Sequence, residues 1–265
     1  MTTSTPTPRR RPRRSAAAGA GLLLALALAG TAGCGGGSPT AAGPDPTTAP
    51  SPTSTDTDNA GEAGDQDAAG TATVARASGP VDVFAAPGDD DPTMTLPATT
   101  GFGSPRALLV VDRQEGWLEV ALPVRPNGSS GWIRTDGLDQ QQVHQELVVD
   151  LAERELTLLA DGEPVMTSPV AIGTSEFPTP TGRFYVVDKL DTGGGGPYGP
   201  FALGLSGYSD VLTEFGGGDG QVGIHGTDDP ATIGQAVSHG CVRVPNEVIS
   251  ELAGLLPLGT PVTVV

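Results

Sequence analysis

The placement of the aromatic residues constrains the fold of this chain more than any other feature. All eleven Phe, Tyr and Trp residues lie at or beyond Phe84 in a sequence of 265 residues. Residues 35–72 are mainly Gly, Ser, Pro, Thr, Ala and Asp without hydrophobic periodicity. Such a segment cannot bury enough apolar area to offset the entropy lost on ordering. The sequence therefore predicts a disordered linker over residues 34–72 and a folded part over residues 73–265.

The first 33 residues have the pattern of a signal peptide. Five of residues 9–14 are arginine, and an apolar stretch over residues 16–32 follows. This stretch is short for a membrane-spanning helix and has no stop-transfer flank. Residues 31–34, Thr-Ala-Gly-Cys, resemble the bacterial lipobox, which implies that a lipid is attached to the Cys34 thiol. An ordinary signal peptide followed by secretion is the alternative.

Residues 73–141 have the pattern of a small β-module. Segments rich in Val, Leu or Trp and bounded by turn residues predict four strands, at Pro80–Ala85, Arg106–Asp112, Gly116–Leu122 and Gly131–Thr135. The hairpin-like part resembles bacterial SH3-like modules, which implies a small barrel. We expect Trp117 and Trp132 to pack in its core, with contact to a ligand as the alternative.

Residues 142–265 have the pattern of a second, larger β-unit. Segments Glu146–Leu151 and Glu155–Ala160 alternate as half-buried strands do, and Asp161-Gly162 predicts a tight turn after them. Further strands are predicted at Val165–Ile172, Phe184–Val187, Val222–Ile224 and Val262–Val265. A helix is predicted after Pro245, with Asn246 as its N-cap and with an apolar face made of Val248, Leu252, Leu255 and Leu256. The predicted fold class is mainly β.

The charge balance and the cysteine count exclude several classes of function. The chain has 14 basic and 31 acidic residues, a net charge of −17, and no basic patch interleaved with aromatic residues. This composition argues against nucleic-acid binding. The two cysteines, Cys34 and Cys241, cannot form a disulfide framework or a four-cysteine metal site.

The one downstream cysteine lies near two of the three histidines. His225 stands in Gly-Ile-His-Gly-Thr at residues 223–227, and His239 stands in Ser-His-Gly-Cys-Val-Arg at residues 238–243. A histidine can take a proton from a thiol and return it, which makes the thiol a nucleophile. Gly240 leaves room for backbone N–H groups that form an oxyanion hole. The alternatives are a buried, inert Cys241 and a zinc site of His225, His239 and Cys241, for which no fourth Cys or His is well placed.

These segments are similar to those of the L,D-transpeptidases, the YkuD-domain family. The Ser-His-Gly-Cys-Val-Arg and His-Gly-Thr sequences carry the resemblance, and Pro178–Phe184 matches the family's Thr-Pro-x-Gly element. Residues 197–203 resemble its substrate-side loop. The resemblance implies a YkuD-type β-sandwich with one or two short helices over residues 142–265.

The resemblance also implies a role for each matching residue. Cys241 would be the nucleophile, and His225 would accept and donate the proton. A supporting and oxyanion group would comprise Ser238, His239, Gly240 and Arg243, where the N–H groups of Gly240 and Cys241 form the oxyanion hole and Arg243 supports the loop or meets a substrate carboxylate. Substrate contacts are expected from Tyr198, Gly223, Ile224, Gly226 and Thr227. Tyr208 is a further candidate for the donor site, with core packing as the alternative.

The function that the resemblance implies is the formation of 3→3 cross-links in peptidoglycan. Cys241 would attack a tetrapeptide stem, release D-alanine and pass the acyl group to a second stem. No metal or organic cofactor is needed. We expect a monomer that is held outside the cytoplasm by its lipid anchor and faces the cell wall. The alternatives are an L,D-carboxypeptidase, with water as the acceptor, and a catalytically silent wall-binding lipoprotein.

Overall fold

The computed structural model of the chain describes residues 70–214 and 217–265. All of them belong to one unit, which spans residues 58–265. The predicted signal peptide, the lipidation site at Cys34 and residues 34–69 of the predicted linker lie outside the described residues. Ala72, which the sequence places in the linker, is already the first residue of a strand and is buried in a hydrophobic core.

Residues 72–143 form seven short strands. They are β1 (Ala72–Ala77), β2 (Val81–Val83), β3 (Met94–Leu96), β4 (Ala107–Gln114), β5 (Trp117–Ala121), β6 (Ser130–Arg134) and β7 (Leu138–Val143). Five of them form an antiparallel sheet in the order β6-β5-β4-β1-β7, here called the N-terminal sheet, and β2 pairs with β3. The four predicted strands overlap β2, β4, β5 and β6. That this sheet is of the SH3 type stays a prediction.

The two tryptophans do not lie in the core of the N-terminal sheet, so that prediction is wrong. Alternation along β5 and β6 sends Leu118 and Ile133 into the core, at 1% and 0% exposure, and leaves the Trp side chains on the opposite face, where they are half-buried. Trp117 instead packs edge-to-face on Phe84, with ring centroids 5.2 Å apart. The Arg134 guanidinium lies 4.7 Å from the centre of the same Trp117 ring.

Residues 145–264 form ten strands and one α-helix. The elements are β8 (Gln145–Asp150), β9 (Glu155–Ala160), β10 (Glu163–Pro169), β11 (Ile172–Gly173), β12 (Gly182–Asp191), β13 (Phe201–Tyr208), β14 (Gln221–His225), β15 (Ala236–Ser238), β16 (Val242–Arg243), α1 (Asn246–Leu255) and β17 (Pro261–Val264). Eight strands form the C-terminal sheet, in the order β10-β9-β8-β17-β12-β13-β14-β16, while β11 pairs with β15. The predicted substrate-side loop at residues 197–203 therefore ends inside β13.

Strand β12 joins the two halves of the C-terminal sheet. Its first residues pair with β17 and its later residues with β13, with a register shift between Val186 and Asp188. One hydrophobic core then collects residues from both ends of the sheet, such as Leu156 of β9 and Val242 of β16. The predicted fold class, mainly β with one α-helix, is confirmed, and the larger sheet is mixed and curls around this core.

The two faces of β12 lie in two different cores. Phe184 and Val186 belong to the core of the C-terminal sheet, whereas Tyr185 and Val187 belong to the core of the N-terminal sheet. Tyr185 is fully buried and its hydroxyl donates to the backbone oxygen of Ala121, at 3.1 Å. The continuous apolar run at residues 184–187 thus follows from burial on both faces.

Helix α1 begins after Pro245, as predicted, but Asn246 is not its N-cap. Pro245 occupies the cap position, and no side chain caps the helix. The Asn246 side chain instead accepts the backbone N–H of Thr227, at 2.8 Å. The apolar face also differs from the prediction, because Ile249 is buried and Leu255 is 49% exposed.

Candidate active site

The parallel strands β14 and β16 bring the predicted histidine and cysteine to one face of the C-terminal sheet. Ile224 pairs with Val242, and His225 pairs with Arg243. Alternate residues of this region lie in the hydrophobic core, namely Val222, Ile224, Val242 and Val244. Because successive side chains point to opposite faces of a strand, His225, Cys241 and Arg243 are left on the other face, where they line a common pocket.

Two pockets meet at Cys241 and His225. The first, of about 160 Å³, contains Arg243 and is called the Arg243 pocket. The second, of about 330 Å³, extends to the side chain of Phe102 and is called the Phe102 pocket. The residues that line both are Tyr198, Gly220, Gln221, Val222, His225 and Cys241. A molecule can therefore approach the thiol from two sides.

The tautomer of His225 follows from its hydrogen bond. The side chain is 5% exposed, and its Nδ1 lies 2.6 Å from the backbone oxygen of Gly226. A carbonyl oxygen only accepts, so Nδ1 carries the hydrogen and Nε2 of the neutral ring keeps its lone pair. Burial lowers the pKa of His225 to about 4, against the Gly226 hydrogen bond, and the Arg243 charge adds to the lowering. The ring is therefore a neutral base at neutral pH.

Cys241 is a half-buried free thiol that lines both pockets together with His225. Burial raises the pKa of the thiol, while a hydrogen bond with the backbone of Gly223 and the Arg243 charge act in the opposite direction. Burial disfavours the thiolate just as it disfavours the imidazolium. The resting pair is therefore a neutral thiol with a neutral imidazole.

Ser238 holds the backbone that carries Cys241. Its hydroxyl donates to the backbone oxygen of Cys241 at 2.5 Å and accepts the N–H of Gly240 at 3.1 Å. Gly240 has φ +115°, a conformation that glycine adopts most readily. The predicted oxyanion donor at Gly240 is thus already engaged by Ser238. The N–H of Cys241 makes no hydrogen bond with any residue in the two described segments.

His239 and Arg243 both line the Arg243 pocket but differ in their exposure to solvent. His239 is exposed and packs on the ring of Phe177, with centroids 4.9 Å apart. The Nε of Arg243 is buried and finds no hydrogen-bond partner in the described part of the chain. A cationic group is therefore directed at the pocket beside Cys241.

Tyr198 is held against the ring of His225. The two rings meet edge-on with centroids 4.7 Å apart, and Tyr198 is 44% exposed. The next residue, Gly199, has φ +63°, and a Cβ there would lie 2.3 Å from Oδ1 of Asn246. This close approach fixes the predicted substrate-side loop over the histidine, where Tyr198 lines both pockets.

The predicted substrate-contacting residues divide into two groups. Tyr198 and Gly223 line the Phe102 pocket. The side chain of Ile224 is fully buried in the hydrophobic core and Ile224 lines neither pocket, so its contact with substrate stays a prediction. Gly226 packs against Asn246, and Thr227 is 2% exposed and donates to the same side chain, so both position the loop rather than line either pocket.

The N-terminal sheet supplies contacts that sequence reasoning missed. The guanidinium of Arg125 donates to the backbone oxygens of Ser209, Leu212 and Asp219 at 2.6, 3.0 and 2.9 Å, and these residues belong to a segment that walls both pockets. Tyr208 packs beneath the same guanidinium at 5.0 Å, so it lies outside the site. The partners are 84 to 94 residues apart in sequence, and no local pattern signals such contacts.

The structure does not bring together the ligands that the zinc alternative requires. In residues 70–214 and 217–265, His225, His239 and Cys241 do not converge with one another, or with any Asp or Glu, into a group of three or more metal ligands. The arrangement is instead that of a thiol, a neutral imidazole and a guanidinium around two pockets.

The sequence of the C-terminal part is similar to that of a known enzyme family. The family model described as the L,D-transpeptidase catalytic domain (YkuD) matches residues 144–264. A protein of Bacillus subtilis (strain 168), named as a candidate L,D-transpeptidase, YkuD, is 36% identical over 126 residues, which cover 48% of this chain and 69% of that protein. The chain therefore belongs to the L,D-transpeptidase family.

Two further proteins illustrate the range of the similarity. The corresponding YkuD candidate of Bacillus licheniformis is 37% identical over 118 residues, which cover 44% of this chain and 64% of that protein. The catalytic domain of an L,D-transpeptidase from E. faecium, solved by NMR, is 28% identical, with a TM-score of 0.34, and the match covers 46% of this chain and 96% of that one.

Proposed function

We propose that this protein forms 3→3 cross-links between peptidoglycan stem peptides through a thioester on Cys241. The observation that carries the proposal is the meeting of two pockets at Cys241 and His225. A cross-linking enzyme has to admit two peptides to one thiol, first the donor and then the acceptor. The membership of the chain in the L,D-transpeptidase family supports the same reaction.

The neutral pair carries out the first half of the reaction by general-base catalysis. Nε2 of His225 takes the proton as Sγ of Cys241 attacks the carbonyl carbon between the third stem residue and D-alanine. The Cys241 N–H, which has no described partner, donates to the oxyanion that forms. Collapse of this intermediate breaks the C–N bond, and His225 returns the proton to the leaving D-alanine amine.

The second half reverses the proton path. The side-chain amine of a second stem attacks the thioester carbon, and His225 accepts the proton that this amine loses. Cys241 leaves as a thiolate and is reprotonated by His225. Arg243 favours the developing negative charge on the sulfur and attracts the terminal carboxylate of the donor stem.

The reaction is tested with the full chain purified in detergent and mixed with disaccharide-tetrapeptide, followed by mass spectrometry. We expect loss of D-alanine together with cross-linked dimers. Loss without dimers would identify a carboxypeptidase, and an unchanged substrate with a titratable thiol would identify a silent wall-binding protein. The two cysteines provide a matched control, since Cys241→Ala should abolish turnover and Cys34→Ala should leave it intact.

We also propose that the chain is a monomeric lipoprotein, anchored at the outer face of the membrane and directed at the cell wall. The basic and apolar segments before Cys34 and the lipobox-like sequence support this placement. Among the described residues no helix is long and apolar enough to cross a membrane. Labelling of cells with a radioactive fatty acid should mark the wild type, and Cys34→Ala should abolish both the label and the recovery in the membrane fraction.

A further inference from the structure

Phe102 is a large apolar side chain that is exposed to solvent at the entrance to the active site. It is 63% exposed and lies between β3 and β4, within residues 72–143, which are here called the N-terminal unit, yet it lines the pocket that also contains Cys241 and His225. An exposed aromatic side chain at the edge of an apolar cavity marks a place where a ligand binds.

The loop that carries Phe102 is built around Thr100. The Thr100 hydroxyl accepts the N–H groups of Phe102 and Ser104 at 3.3 and 3.1 Å. The Thr100 backbone accepts the N–H of Gly103 at 3.0 Å and donates to the oxygen of Ser104 at 2.9 Å. Phe102 is therefore presented by an internally bonded loop, so its position is fixed before any ligand arrives.

The same threonine fixes the loop to the C-terminal sheet. Its hydroxyl donates to Oδ1 of Asp188, which is 1% exposed on β12. At the base of the loop Arg106, 7% exposed, donates to the backbone oxygens of Pro97 and Thr99 at 3.0 and 3.1 Å. The position of Phe102 relative to Cys241 is thus set by contacts between the two sheets.

The two pockets carry opposite charges. Among the described residues that line them, Arg243 holds the one permanent charge of the Arg243 pocket and Asp219 that of the Phe102 pocket. The proposed donor ends in a carboxylate, and the proposed acceptor offers an amine at the end of a methylene chain. A positive pocket matches the first and a negative, apolar-walled pocket matches the second.

We propose that the Phe102 pocket is the acceptor subsite, in which Asp219 attracts the amine of the second stem and Phe102 covers its methylene chain. Leu190, which is partly exposed, also lines this pocket. This assignment rests on the proposed transpeptidase function and adds that the N-terminal sheet contributes directly to the choice of acceptor.

Measuring the two half-reactions separately distinguishes a failure of the acceptor assignment from a failure of the proposed function. The full chain is given disaccharide-tetrapeptide as donor and disaccharide-tripeptide, which has no D-alanine to lose, as acceptor. D-alanine release reports the donor half, and cross-linked product at rising tripeptide concentration reports the acceptor half. Phe102→Ala should raise the KM for tripeptide about tenfold, because the ligand would no longer partly bury a Phe side chain. The rate of thioester formation should stay within about twofold of the wild-type rate. Asp219→Asn should also raise this KM, and its effect should shrink at high salt.

Matched variants keep the test specific. Met94→Ala removes another exposed apolar side chain of the N-terminal unit, and Asp210→Asn removes a charge from the same segment as Asp219; neither residue lines either pocket. Both should keep the wild-type KM for tripeptide. Unchanged KM values in the Phe102 and Asp219 variants, or a matching loss of thioester formation, would overturn the acceptor assignment alone. A wild type that releases no D-alanine, or releases it without cross-links, would overturn the proposed function and this assignment with it.

Discussion

Replacing Arg125 by Met should loosen the segment that walls both pockets. One guanidinium holds three backbone oxygens of this segment, at 2.6, 3.0 and 2.9 Å. A hydrogen bond from a charged donor contributes about 1.5–3 kcal/mol when it is partly buried, as the bond to Ser209 is. The two exposed bonds contribute about 0.5 kcal/mol each because water competes for them. The total is about 3 kcal/mol, which corresponds to an approximately 100-fold change in the equilibrium constant between the ordered and the loosened segment.

Two measurements follow the effect of Arg125→Met. The kcat/KM for D-alanine release should fall by up to about 100-fold, since the pocket walls are formed only while the segment is ordered. Hydrogen exchange at the Leu212 N–H, which donates to Ser209 Oγ at 3.0 Å, should speed up in parallel. Arg134→Met is the control, because Arg134 stacks on Phe84 and Trp117 away from the site. Unchanged exchange at Leu212, or a drop in kcat/KM of less than about threefold, would refute the reasoning.

Four further outcomes are expected. Because burial lowers the pKa of His225 to about 4, D-alanine release should persist below pH 6.5, and a pH profile that is half-maximal near 6.5 would contradict the neutral base. Between pH 6.5 and 4 the unfolded chain protonates His225 before the folded chain does, so the free energy of unfolding should fall by about 3 kcal/mol over this range. Urea titrations at several pH values measure this fall, and His225→Gln should lack the part that comes from the histidine. Gly223→Ala places a Cβ 2.7 Å from a backbone oxygen of β13 and should lower the urea midpoint by the equivalent of about 1–3 kcal/mol; Gly254→Ala, in open space on α1, should raise it, and equal midpoints would argue against the crowding. Asn246→Ala leaves the Thr227 N–H unpaired and should cost about 1–3 kcal/mol, whereas Asn246→Asp keeps the acceptor; similar losses in both variants would show that the hydrogen bond is not the cause.

The parts of the fold that the sequence could predict are those with a local signal. Residues 155–160 alternate between apolar and polar and form β9. Residues 201–208 contain two glycines and follow a Gly- and Pro-rich run, so β13 resembles a loop in sequence. Asn246 has the residue type of an N-cap, yet its oxygen accepts a more distant N–H. For β13 and for Asn246, contacts with residues distant in sequence determine the structure, and the local pattern does not predict it.

The candidate site likewise has residues that the sequence could point to and properties that only the folded chain shows. Cys241 and His225 could be singled out because the one downstream cysteine lies near two histidines and stands in the family's Ser-His-Gly-Cys sequence, while their catalytic roles stay predictions. Their protonation states could not, because burial, which sets both pKa values, is a property of the folded chain. Phe102 and Arg125 could not be identified either, since both lie in loops between strands of residues 72–143, far from Cys241 in sequence.

The burial of β12 on both faces makes the two sheets inseparable in folding. Tyr185 and Val187 fill the N-terminal core from within the C-terminal sheet, so cutting the chain between the sheets would open one core and leave an apolar wall on the other half. We expect a single cooperative transition, with no state in which one sheet survives the other. The N-terminal sheet and the C-terminal sheet therefore have to be inherited, folded and lost together.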